Sequence, residues 1–262
     1  MTQSDSTRFS GTMPVSPKLR LDVDRLAAAL VHRIPGFERL DDLRQFKGGQ
    51  SNPTYLLETN LGRLVLRRKP PGKLLPKAHD VAREYRVMTA LGSTDVPVPE
   101  TLFVCEDPEV IGTAFFVMRY LDGRILWSPH VPSVAISERT ALYDAMNRTV
   151  AALHQVDFEA VGLGDYGRPG NYVARQTAVW SRQYRASETE TIPEMDALMD
   201  WLPAHIPEDE ATSVVHGDFR IDNMVFHPTE ARVIGVLDWE LSTLGHPLVD
   251  FAYHCLPYRL PK

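Results

Sequence analysis

The chain reads as an α+β protein of two lobes, a small β-rich first lobe and a larger, mainly helical second one. Three observations predict this. Short apolar runs of strand character crowd the segment from Leu43 to Tyr120 around a single helical stretch. After Leu121-Asp122-Gly123 the apolar residues recur at helical spacing. Short apolar runs then return near Val214, Met224 and Val233, where they bracket a polar loop rich in chemically useful side chains. The organisation this predicts is a disordered or loosely held arm over 1–18, a first lobe over 19–121 and a second over 122–262.

In chain order, Val23, Leu26, Leu30 and Ile34 mark an amphipathic helix over Asp22 to Ile34, closed by Pro35-Gly36. Leu43 to Lys47, Thr54 to Thr59 and Arg63 to Lys69 read as strands, the last two joined at Asn60-Leu61-Gly62. A helix from about Ala78 to Leu91 follows, then strands over Thr101 to Cys105 and Ala114 to Tyr120. In the second lobe, Leu142, Met146, Val150 and Leu153 share one face of a helix over Ser137 to Val156. Tyr172 to Ala186 and Pro193 to Leu202 are further helices, with Pro193 suited to a first turn. Val214-Val215, Met224 to Phe226 and Val233 to Leu237 are strands, and Pro247 to Cys255 opens a last helix.

At 262 residues and 44% hydrophobic, the chain can bury one large core or two lobes. Its net charge of -6 disfavours nucleic acid as a general partner. Residues 1–18 lack an apolar leader core, and no later run is long enough to span a membrane. Cys105 and Cys255 stand far apart, in no ligand spacing, and read as buried free thiols in a reducing compartment. A cytoplasmic location is the expectation.

The chemistry concentrates in Val214-Val215-His216-Gly217-Asp218-Phe219-Arg220-Ile221-Asp222-Asn223, followed by Val236-Leu237-Asp238-Trp239-Glu240. An Asp and an Asn lie five positions apart after one strand, and a second Asp ends another strand fifteen residues beyond the Asn. Phosphoryl transfer needs such a set: one carboxylate to orient and deprotonate a hydroxyl, and an amide and a carboxylate to hold Mg²⁺ on a triphosphate. Asp218 is therefore read as the base, and Asn223 and Asp238 as Mg²⁺ ligands, since oxygen donors suit that hard ion. Arg220 stands within reach of a transferring phosphoryl group. Plainer readings stand beside these: Asp218 capping a turn, Arg220 on the surface, Trp239 in the core. His216 is expected to fix the loop backbone, Asp222 to be solvated or to cap the loop, and Asp250 to brace a loop or start a helix.

Gly48-Gly49-Gln50-Ser51-Asn52 sits between two strands, where glycines let backbone amides approach phosphate, although an ordinary hairpin also uses Gly and Asn. The chain lacks the G-x4-G-K-[ST] pattern of a P-loop. Arg67 and Lys69, two apart, fall on one strand face, and Glu84 in the next helix is the natural carboxylate partner for one of them. The alternative is a solvated helix face of Arg83, Glu84 and Arg86. Met118-Arg119-Tyr120-Leu121 leads into the lobe-joining segment, where the backbone of Arg119 to Leu121 is placed to hydrogen-bond an adenine.

The run His216-Gly217-Asp218 to Asn223, with Asp238-Trp239-Glu240, resembles the catalytic loop and metal Asp of protein-kinase-like enzymes. From about Gln45 to Tyr258 the chain is similar to the aminoglycoside phosphotransferase/choline kinase-like family of small-molecule kinases. Leu66-Arg67-Arg68-Lys69-Pro70-Pro71-Gly72-Lys73-Leu74-Leu75, with Glu84-Tyr85-Arg86-Val87-Met88, resembles more narrowly the phosphotransferase domains related to those fused to some acyl-CoA dehydrogenases. The resemblance implies a protein-kinase-like fold, ATP or GTP as phosphoryl donor, Mg²⁺, and a small-molecule hydroxyl as acceptor, a hydroxyacyl compound before an aminoglycoside. Two features depart from the family pattern. Arg67 takes the place of the usual phosphate-binding Lys, and family members continue with further helices beyond the position of Lys262, which implies a shortened second lobe. Two other classes stay open: a nucleotide-binding module that regulates a partner without turnover, and a metal hydrolase using His216, Asp218, Asp238 and His246. The sparse His/Asp spacing speaks against the second of these.

Overall fold

A computed structural model of the chain describes residues 10–48, 52–72, 79–208 and 211–259. The first lobe is built on a six-stranded antiparallel sheet. Its strands are β1 (Thr12–Met13), β2 (Leu40–Phe46), β3 (Thr54–Thr59), β4 (Gly62–Arg68), β5 (Thr101–Cys105) and β6 (Phe115–Arg119), in the order β1-β2-β3-β4-β6-β5. The two-residue period of β4 decides what each face does. Leu64 and Leu66 point to one side, where Leu26 and Leu30 of α1 (Val23–Arg33) close a small core with Tyr55, Leu57, Phe115 and Val117. Val65 points to the other side, toward α2 (Val81–Leu91), with Phe116 and Met118 of β6. Arg67 shares the face of Val65, so it arrives under α2 as a charge among apolar side chains.

Both helices start where a short acidic side chain can satisfy their first N–H groups. Asp22 accepts from Arg25 N–H at 3.0 Å, and Asp80 accepts from Arg83 N–H at 3.1 Å. Residue 78, the expected start of the second helix, lies outside the described residues. The short helix α3 (Pro108–Ile111) links β5 to β6.

The second lobe holds α4 (Ile136–His154), α5 (Tyr172–Ser187), α6 (Pro193–Trp201) and α7 (Leu248–Cys255), with five short strands. β7 (Arg124–Ile125), β9 (Met224–Phe226) and β10 (Val233–Val236) form one small sheet, and β8 (Ser213–Val215) and β11 (Thr243–Gly245) form another. α4 buries Leu142, Ala145, Met146, Val150 and Leu153, as its spacing predicts. Those residues join Val65, Phe116 and Met118 in one continuous core that also takes in Phe219, Met224 and Trp239. The catalytic candidates therefore hang from a core that both lobes share.

Two expectations change. The arm over 1–18 is not loose along its described part: Thr12 and Met13 pair with Phe46 and Gln45, and Arg44 Nε donates to Thr12 Oγ1 at 2.9 Å. Residues 1–9 lie outside the described residues. β1, β7, α3 and β11 have no counterpart in the sequence reading, because two- to four-residue elements are too short to show a period. Among the described residues no helix is long and apolar enough to cross a membrane.

Candidate active site

The β9–β10 hairpin brings the two candidate metal ligands together. Met224 pairs with Val236, and one step further along the ladder the N–H of Leu237 donates to the carbonyl of Asn223 at 2.8 Å. Asn223 and Asp238 thus leave the same end of one antiparallel pair, which accounts for their fifteen-residue separation. Asp238 itself takes a left-handed backbone, φ 67° and ψ 56°, as the chain turns from β10 into a 3-10 turn over Trp239–Leu241. Short polar side chains tolerate that conformation best after glycine. Trp239 is fully buried, its Nε1–H donating to the Val236 carbonyl at 2.9 Å, and it is core as its plainer reading had it.

The loop between β8 and β9 carries Asp218. Its Oδ2 accepts from Asn223 Nδ2 at 2.9 Å, and its Oδ1 lies 3.0 Å from Arg220 Nε. The carboxylate is held between an amide and a guanidinium rather than capping a turn, and Arg220 bridges onward to Asp222 at 3.5 Å. Burial pushes the Asp222 carboxyl up; Arg220 opposes the rise, and Asp218 and Asp238 add to it. Asp218 and Asp238 thus act on Asp222 as like-charged neighbours.

The loop backbone is braced from below by Asp250 of α7, which is fully buried. Its Oδ2 accepts from the His216 N–H and its Oδ1 from the Gly217 N–H, both at 2.8 Å, and His154 Nε2 lies 3.0 Å from Oδ2. The His216 ring spans from Leu237 O, 2.9 Å from its Nε2, to the Asp218 N–H, which donates to Nδ1 at 3.2 Å. Gly217 has φ 82°, and a Cβ there would meet the Leu241 carbonyl oxygen at 2.7 Å, so this position of the loop needs glycine. Replacing Asp250 by Asn should cost about 1–3 kcal/mol, since one of the two N–H groups would face an NH₂ and stay unsatisfied in the core. Chemical denaturation measures it; a loss below roughly 0.5 kcal/mol would remove the bracing role.

Arg67 and Glu84 form the counterpart in the first lobe. Arg67 Nε is 2.9 Å from Glu84 Oε2, its Nη2 meets Asp238 Oδ1, and Glu240 Oε2 lies at 3.9 Å. Glu84 is 1% exposed, and burial pushes its carboxyl up to about 7 against the pull of Arg67. Arg83 and Arg86 do not form a solvated face with it. Arg83 stacks on Tyr166 and donates to the carbonyls of Tyr166 and Ser242, while Arg86 pairs with Asp165, so both tie α2 to the second lobe.

Several expected nucleotide contacts sit elsewhere. Asn52 is fully buried, its Nδ2 donating to Glu84 Oε1 at 2.7 Å and to Glu240 Oε2 at 3.5 Å. Gly49, Gln50 and Ser51 lie outside the described residues, which leaves Gly48 and Asn52 as the described ends of the loop. Lys69 follows the end of β4 and lines a cavity of about 680 Å³ with Asp80, Arg83 and Glu106. Met118 is buried in the shared core. The N–H groups of Arg119 and Tyr120 are already given to Glu100 O at 2.8 Å and Arg63 O at 3.3 Å. Leu121, the first residue past both, has an N–H with no acceptor among the described residues. Glu240, named in the Asp238-Trp239-Glu240 run but given no role there, joins Asn52, Arg67 and His79 in one network.

The donors suit Mg²⁺. The amide of Asn223 and the carboxylate of Asp238 offer two oxygen ligands, and Mg²⁺ is ordinarily held by one or two carboxylates with waters and substrate phosphates completing its shell. Among the described residues no three His, Cys, Asp or Glu side chains converge as a metal set.

Comparison with known proteins agrees with this geometry. A solved Ralstonia eutropha structure, provisionally named an aminoglycoside phosphotransferase, is 52% identical; the match covers 93% of this chain and 72% of that one, with a TM-score of 0.84. The macrolide 2'-phosphotransferase of Brachybacterium faecium, at 22% identity and a TM-score of 0.65 over 89% of this chain and 77% of its own, shares the fold. Mouse acyl-CoA dehydrogenase family member 10 is 51% identical over 84% of the chain and 21% of its own length. Human acyl-CoA dehydrogenase family member 11 is 43% identical over 98% of the chain and 34% of its own length. The chain therefore spans about a fifth to a third of these dehydrogenase relatives. Residues 42–261, which hold every group of the site described above, match the phosphotransferase enzyme family, and the chain is a kinase-like phosphotransferase belonging to it.

Proposed function

We propose that the protein transfers the γ-phosphoryl group of ATP or GTP to a hydroxyl of a small hydroxyacyl compound, free or as a thioester. The observation that carries this reading is the convergence of Asp218, Asn223 and Asp238 at one end of the β9–β10 hairpin, with Arg67 reaching Asp238 from the opposite lobe. Asp218 accepts the acceptor's hydroxyl proton as the oxygen–phosphorus bond forms and the bond to the β-phosphate breaks. Arg220 balances charge on the transferring group, and Arg67 holds the donor's phosphates. Asn223 and Asp238 hold Mg²⁺, which when bound neutralises phosphate charge. Leu121 offers its N–H to the base, with Gly48 at the edge of the phosphate loop.

The acceptor class rests on the relatives. Proteins named acyl-CoA dehydrogenase family members carry a segment 43–51% identical to this chain, and a domain joined to such an enzyme meets acyl thioesters. The test is a panel of hydroxy acids, their CoA thioesters and kanamycin with Mg·ATP and Mg·GTP, read by mass spectrometry of the products. Phosphorylation of the hydroxyacyl compounds is expected. Robust transfer to kanamycin alone would reverse the acceptor class, and nucleotide binding with no transfer would favour a regulatory module. Asp238→Ala should weaken nucleotide binding with Mg²⁺ more than without it; equal losses in a calorimetric titration would remove the metal role.

A further inference from the structure

The carboxylate read as a Mg²⁺ ligand already holds a cation. Asp238 Oδ1 meets Nη2 of Arg67, and among the described ion pairs Asp238 has no other partner. A guanidinium and a divalent ion seek the same carboxylate lone pairs, so each weakens the hold of the other. Metal binding at Asp238 therefore has a competitor, built into the opposite lobe.

The same contacts say how the competitor can let go. Arg67 uses two separate nitrogens: Nε lies 2.9 Å from Glu84 Oε2, and Nη2 serves Asp238. The Glu84 side chain is 2% exposed and that of Asp238 30%, so the first contact is the anchor and the second is the one a ligand reaches. Glu240 Oε2, 3.9 Å from the same Nη2, remains as a counter-charge when Asp238 is given up. A planar fork keeps Glu84 through Nε while Nη2 changes partner. A lysine ammonium, being one point charge, cannot separate the two contacts in that way.

We infer that Arg67 is the counter-ion of Asp238 in the unliganded chain and exchanges it for the donor's phosphates when Mg²⁺ binds. This rests on the kinase reading, and within it on Asp238 as a metal ligand. The exchange has a signature of opposite signs. Removing Arg67 releases Asp238, so a divalent ion alone binds more tightly. It also removes the phosphate cation, so Mg·ATP binds more weakly. A merely structural role for Arg67 would weaken both.

Calorimetric titration of the full chain decides it, with Mn²⁺ alone as a second hard ion for the same oxygen ligands, and separately with Mg·ATP. Arg67→Gln should bind Mn²⁺ about tenfold more tightly, a gain between the worth of an exposed and a buried charge pair, and Mg·ATP several-fold more weakly. Arg67→Lys, the gentler change for the fold, should show the same two signs at smaller size. Mn²⁺ affinity unchanged or lowered in both variants overturns the inference; if Asp238→Asn still loses Mn²⁺, the metal role of Asp238 stands without it. Equal Mn²⁺ affinity in wild type and Asp238→Asn removes that metal role, and this inference with it.

Discussion

Asp218→Asn is expected to cut turnover by about 10²- to 10⁴-fold while leaving Mg·ATP binding within a few-fold of wild type, the range a positioned general base contributes. The substitution is nearly isosteric, so the loop keeps its shape. What it loses is the acceptor of the hydroxyl proton and a negative charge that Arg220 and Asn223 both engage. The amide must turn its oxygen toward one of those donors and its NH₂ toward a neighbour that also donates. Single-turnover kinetics isolate the chemical step, and a near-wild-type rate there would show that Asp218 only shapes the loop.

That loop was readable in the sequence because its chemistry is local. His216, Gly217, Asp218 and Asn223 lie within eight residues, and the two strands that frame them have apolar runs of their own. Asp238 was readable for a similar reason, since it ends the partner strand of the same hairpin. The contacts of Asn52 with Glu84 and Glu240, 32 and 188 residues away, were not legible, because no local pattern records a partner that distant. Lys69 was grouped with Arg67 on one strand face; β4 ends at Arg68, but the Lys69 N–H still donates to the Ala114 carbonyl at 2.9 Å, and which of the two cations meets Glu84 was not legible from their spacing. β1 escaped notice for want of length: two residues show no period, and pairing with Phe46 and Gln45 alone makes them a strand.

Arg67→Ala should destabilise the fold by about 3 kcal/mol at pH 8.5, raise the KM for ATP and lower kcat. Arg67 is the one cation that Glu84, Asp238 and Glu240 share among the described ion pairs of this cluster, apart from the long contact of His79 to Glu240. Burial works against its charge, but those three carboxylates outweigh it and hold the guanidinium protonated. Its removal leaves Glu84 buried with Asp238 and Glu240 as like-charged neighbours. The cost depends on pH, and its sign follows from Glu84, whose carboxyl rises from 4.5 to about 7. A carboxyl raised in the folded state contributes its stability below the unfolded value and loses it as pH climbs through the folded one. Without Arg67 the value climbs further. Glu84 is then largely neutral at pH 6 in both proteins, and the two diverge only above about 7, where wild type can ionise and the variant cannot.

The loss of stability should therefore be smaller at pH 6 than at pH 8.5, as denaturant melts at the two values would read. Lys69→Ala should change stability and the KM for ATP little, because Lys69 faces the cavity beside Asp80 and Glu106 instead. Arg67→Lys should fall between: it keeps a charge near Glu84 but cannot span Glu84 and Asp238 together as the planar guanidinium does. A pH-independent loss would mean that Glu84 stays charged throughout. A damaging Lys69→Ala with a silent Arg67→Ala would move the phosphate cation to the end of β4.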